Sequence, residues 1–130
     1  MRIAAALSCL LLLAAGPALA QKAVTFLEPK DGATVSSPFT VKMEVKGMTA
    51  VPAGEAKPGT GHHHVLINGD GFPKGEEIPF TRRNLHLNQG QSETQVTLPP
   101  GTYKLTAQFG DGTHKSLGPD HAHTITITVK

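Results

Sequence analysis

An all-β sandwich is the fold class this sequence predicts, and three observations predict it. Apolar and polar residues alternate with period two in several short stretches, and no segment holds a 3.6-residue period. Between these stretches, turn signals rich in glycine and proline recur about every ten residues. About seven short strands separated in this way read as a single immunoglobulin-like antiparallel β-sandwich. The inter-sheet disulfide and the tyrosine corner of antibody domains are not available to confirm it.

The chain opens with MRIAAALSCLLLLAAGPALA, a positive start at Arg2, an apolar run, and the small-x-small ending Ala18-Leu19-Ala20. Residues 1–20 therefore read as a signal peptide, with an apolar run too short to span a bilayer. The expected mature chain, residues 21–130, is one domain with a single modest core. Cys9 leaves with the signal, so disulfides and thiolate metal sites are excluded from the mature protein. Periplasmic or secreted localisation follows, with no transmembrane segment in the mature chain.

Beyond the signal, AVTFL (23–27) is a short apolar run, and EPKDGATVSSP is a turn-rich connection. In PFTVKMEVKG, Phe39, Val41, Met43 and Val45 alternate with Thr40, Lys42, Glu44 and Lys46, the pattern of a half-buried strand ended by Gly47. Residues 48–61, with two prolines and three glycines, read as a long mobile loop. HHHVLIN is the next strand. Pro79 demotes 77–87 to an edge strand or extended connection, with Leu85 and Leu87 inward and His86 outward. TQVTL (94–98), TYKLTAQF (102–109) and HTITITVK (123–130) complete the set.

If successive strands reverse direction, connections alternate between two ends of the sandwich. All seven histidines, at 62, 63, 64, 86, 114, 121 and 123, then fall at one end. Within the triplet, His63 shares a face with Val65 and Ile67, while His62 and His64 point the other way, about 6 to 7 Å apart by the usual strand rise. His121 and His123 share a face with Ile125, Ile127 and Val129, at the rim of the core. Two histidines at i and i+2 on one strand face can chelate one ion, so the candidate metal ligands are His62, His64, His86, His114, His121 and His123. Asp111, Asp120 and the thioether of Met48 are further residues able to complete a site. Imidazole suits copper and zinc among other ions; carboxylate help leans to zinc and methionine to copper(I).

Set aside Arg2, and 11 basic side chains face 10 acidic ones, which excludes a basic stripe for nucleic acid or anionic membrane. With no tryptophan and one tyrosine, the chain offers little as an aromatic carbohydrate platform. The serines sit in turn-like contexts without a nucleophile elbow, and no HExxH spacing organises a hydrolytic zinc. Cleavage after Ala20 exposes Gln21, so an amino-terminal histidine oxygenase is disfavoured. The chain is expected not to be an enzyme.

The order GHHHVLIN, LHLNQGQSETQVTLPPGTYKLTAQFGDGTH and a strand ending in ITITV resembles the family catalogued as domain of unknown function 4399, small exported bacterial domains. The resemblance covers nearly the whole mature chain, including PKDGATVSSPFTVKMEVKGM. It implies an immunoglobulin-like sandwich, and it matches the family's histidines to His62, His63, His64, His86 and His114. Two functions compete. One is an exported binding domain taking copper or zinc through the histidine cluster. The other is a non-catalytic structural or protein-interaction module of the cell envelope, with a hydrogen-bonded histidine cap and an envelope protein as partner.

Overall fold

The computed structural model describes residues 22–130; the signal-peptide reading of residues 1–20 lies outside them. Among the described residues, nine strands and one turn of 3-10 helix are formed: β1 Val24–Glu28, β2 Thr34–Val35, β3 Phe39–Val45, β4 Thr49–Ala50, β5 Thr60–Ile67, β6 Asn84–His86, β7 Glu93–Val96, β8 Gly101–Gly110, the 3-10 turn Pro119–His121, and β9 Ala122–Val129. The strands form two sheets, one ordered β1-β3-β7 and the other β2-β9-β8-β5-β4 with β6 also on β5. Period-two apolar residues from both layers meet between them: Val24, Phe26, Val41 and Met43 from one, Val65, Leu105, Ala107, Ile125 and Ile127 from the other. This partition of strands is that of an immunoglobulin-like sandwich.

Two features depart from the reading of the sequence. The strands in excess of seven, β2 and β4, have two residues each and pair parallel, with β9 and β5 respectively. Neither is long enough to show a period, and β2 is placed by a partner far along the chain. The Asp31 carboxylate, for example, accepts the Thr126 N–H at 2.8 Å and draws the chain before β2 against β9. The tyrosine corner, in turn, is present. Tyr103, near the start of β8, donates its hydroxyl to the Pro99 carbonyl at 2.7 Å, which ties the β7–β8 corner as in immunoglobulin domains.

The segment 48–61 is not a free loop. Its N–H groups are spent at Thr49 on Gly59, Val51 on Gly61, Ala53 on Asn88 and Gly54 on Gly112, at 2.8 to 2.9 Å. Strand β5 is buried from Gly61 to Ile67, because both its faces are covered. Val65 and Ile67 enter the sandwich core, while the other face lies under the chain between β5 and β6. That cover is stitched down by Gln108 on β8, whose side chain is fully buried. Its Oε1 accepts the Phe72 N–H at 3.0 Å and its Nε2 donates to the Gly118 and His121 carbonyls. The Gly75 and Ile78 N–H groups donate to the Ser116 and His114 carbonyls at 2.8 Å. A polar strand face thereby becomes an interior.

Candidate metal centre

His62 and His64 lie on that covered face of β5, both fully buried. Strand β6 pairs antiparallel with β5 in a register that sets His86 opposite His64. On the other side β8 ends at Gly110, opposite His62, and the turn that follows returns His114 over the two β5 imidazoles. Gly110 is required for this packing: a Cβ there would stand 2.8 Å from Cε1 of His64.

Three of the rings converge on one atom of the fourth. Nδ1 of His114 lies 3.0 Å from Nε2 of His62, 3.4 Å from Nε2 of His64 and 3.2 Å from Nδ1 of His86. Backbone carbonyls decide two of the tautomers. His64 donates Nδ1–H to the Gln108 carbonyl at 3.2 Å, and His86 donates Nε2–H to the Pro79 carbonyl at 3.1 Å. Their other nitrogens therefore present lone pairs to His114. A single proton on His114 serves one such neighbour, so protons alone leave lone pairs facing lone pairs. A cation would resolve this: metal–nitrogen bonds of 2.0–2.1 Å in a tetrahedron put neighbouring nitrogens about 3.3 Å apart, close to the three contacts made at His114. One nitrogen from each of the four residues lies within 4.8 Å of every other, and the group could hold a metal ion.

Burial and neighbouring imidazoles keep His62, His64 and His86 in the neutral form. Burial, then the nearby His114 and His86, lowers the His62 pKa to about 4. Burial and the neighbouring imidazoles of His62 and His86 lower His64 to about 2, against the Gln108 hydrogen bond that raises it. His86 is held below the usual imidazole value, mainly by burial. Neutral imidazole is the form that binds a metal. The carbonyls behind His64 and His86 are the outer partners that orient ligating histidines. On His62 the far nitrogen, Nδ1, is buried without a partner.

The remaining sequence candidates stand elsewhere. His123 accepts the Phe26 N–H on its Nδ1 at 3.1 Å and packs on the Phe26 ring, facing the other sheet. His121 ends the 3-10 turn, with its Nδ1 buried and unpartnered. Neither joins the four-histidine group, because β9 lies beyond β8 from β5: the same end of the sandwich is a different place in the sheet. His63 turns inward, edge-on to Phe109 at 5.0 Å. Met48 packs against the core, and Asp120 is exposed on the 3-10 turn. Asp111 is turned into its own loop, where its Oδ1 accepts from Thr113 and Lys115.

One participant carried no signal in the sequence. Phe80 belongs to no strand and is 65% exposed, yet its ring stacks on His86 at 4.0 Å and 9° and meets His114 edge-on at 4.7 Å. It covers the outer side of the cluster.

Residues 41–130 match the family model described as Domain of unknown function (DUF4399). Neither a curated protein nor a solved structure matches the chain.

Proposed function

The chain belongs to the family of the domain of unknown function DUF4399, and from that premise we propose that it is an exported, non-catalytic domain that binds a copper or zinc ion through His62, His64, His86 and His114. The observation that carries the reading is the convergence of three imidazole nitrogens on His114 Nδ1 at 3.0 to 3.4 Å. An all-imidazole donor set suits both ions. Export is supported by the leader-like composition of residues 1–20. A binding rather than catalytic role is supported by four ligands, which fill a tetrahedral ion as closed sites do, and by Phe80 over their outer side.

Calorimetric titration of the purified protein with copper(II) and with zinc tests it. One ion per chain is expected, with binding abolished or strongly weakened in the His62→Ala, His64→Ala double variant. Unchanged stoichiometry and affinity in that variant would remove the proposal.

The second reading, a hydrogen-bonded histidine cap on an envelope interaction module, is favoured by one distance. The 3.0 Å between His62 and His114 is that of a direct N–H···N bond. The two readings separate on melting temperature. An ion that binds the folded state stabilises it by mass action, about 2.7 kcal/mol at 100 times the Kd, and so raises the melting temperature; a cap that binds none leaves it indifferent to ion and chelator.

A further inference from the structure

His114 has a backbone φ of +68°, in the left-handed region that glycine occupies freely and that histidine, like asparagine and aspartate, visits more often than other side chains but at a cost on the order of 1 kcal/mol or more. The turn needs a left-handed residue, and glycine supplies one without strain. An imidazole stands there instead, with the nitrogens of three other histidines gathered on its Nδ1. Such a conformation persists only where the surroundings over-determine it, so the atoms that hold it can be sought.

They centre on Asp111. Its Oδ1 accepts the Thr113 N–H at 2.9 Å, the Thr113 hydroxyl at 2.8 Å and the Lys115 N–H at 3.0 Å. Its backbone closes the same turn: the Asp111 N–H donates to the Lys115 carbonyl at 2.8 Å, and the His114 N–H donates to the Asp111 carbonyl at 3.0 Å. Bonds on both sides of residue 114 therefore end on residue 111. From outside, the His114 carbonyl accepts the Ile78 N–H, and the Gly112 carbonyl accepts the Gly54 N–H. Gly112 is seated so closely that a Cβ would stand 2.7 Å from the Gly54 carbonyl oxygen.

We propose that Asp111 is a positioning residue of the metal site: its carboxylate holds the 111–115 turn so that His114, the ligand not carried on a strand, meets the three strand-borne imidazoles. The inference rests on the metal-binding reading of those four histidines. Asp111 does not touch the ion. It lowers the cost of assembling the site by fixing the ligand with the most backbone freedom before the ion arrives.

The test uses cobalt(II) as a spectroscopic stand-in for zinc, with zinc affinity measured by competition. Asp111→Ala is expected to weaken zinc about 10- to 100-fold, the usual cost of losing an outer-shell partner, and to change the visible cobalt spectrum as His114 leaves the ion. Asp111→Asn keeps an acceptor oxygen and is expected to retain most of the affinity and the parent spectrum. Asp111→Glu, with the carboxylate one methylene too far, should lose affinity in the same direction as alanine, and it serves if the alanine variant does not fold. In a His114→Ala background, Asp111→Ala should cost less than about 2-fold more, because the two act through one ligand. Wild-type affinity and spectrum in the alanine variant, or the full loss persisting without His114, would overturn the role of Asp111. Failure of the parent protein to take up any ion is a separate result, and it would overturn the metal site itself.

Discussion

Nε2 of His62 lies 3.0 Å from Nδ1 of His114, across 52 residues of chain. The contact joins a fully buried strand residue to a partly buried loop residue in a left-handed backbone conformation. Burial has already made His62 a weak base, with a pKa of about 4. An uncharged, buried nitrogen is thus aimed at another nitrogen.

The histidines should divide into two groups under substitution. His62→Ala, His64→Ala, His86→Ala and His114→Ala should each weaken copper or zinc binding at least about tenfold, through loss of a ligand or its orientation. His121→Ala and His123→Ala should leave it within about 2-fold, since both stand outside the group. Equal losses from His123→Ala and His64→Ala, measured by competition with a chelator, would contradict the assignment.

Gly110→Ala should damage the site through His64. The added Cβ would stand 2.8 Å from Cε1 and 3.2 Å from Nδ1 of His64, and 3.3 Å from the Lys115 carbonyl oxygen. His64 is fully buried and has no room to retreat. A loss of roughly 1–3 kcal/mol in unfolding free energy is expected, with weaker ion binding. Gly54→Ala meets nothing within 4 Å and is the control. Denaturant curves of the two variants in the same buffer decide it; equal midpoints would refute the packing argument.

Stability of the ion-free protein should fall on acidification. His62 and His63 are held down to about 4 and His64 to about 2, each first by burial. In the unfolded chain these groups take a proton near pH 6.5. Between about pH 6.5 and 4 the unfolded state binds more protons than the folded one, so acid favours unfolding, by up to roughly 1.4 kcal/mol per pH unit for each such histidine. His63 contributes without being part of the cluster, and its Nδ1 is buried without a partner. His63→Leu should therefore flatten the slope while leaving ion binding in place. Melting curves at pH 7 and pH 5 that coincide for the parent protein would exclude this account.

How much could be read in advance depended on where each residue's partner lies. Strand β3 reads directly, because one of its faces is covered and the other is polar: Phe39, Val41 and Met43 are buried and the residues between them are not. Strand β9 reads the same way from Ile125 onward. Strand β5 shows the limit. Period two separates His62 and His64 from His63, yet only the cover held by Gln108 explains why both faces are buried.

Alternation along the strands, turn chemistry and the reversal of successive strands were local or additive properties of the chain. By themselves they determined an all-β sandwich and placed His62 and His64 on one face. Tertiary structure alone decided which of the histidines at that end meet, because strand order within a sheet is set by packing between distant segments. That order brings β6 onto β5 and puts His86 beside His64, while it carries His121 and His123 away with β9. The turn at Asp111 then returns His114 to Nε2 of His62.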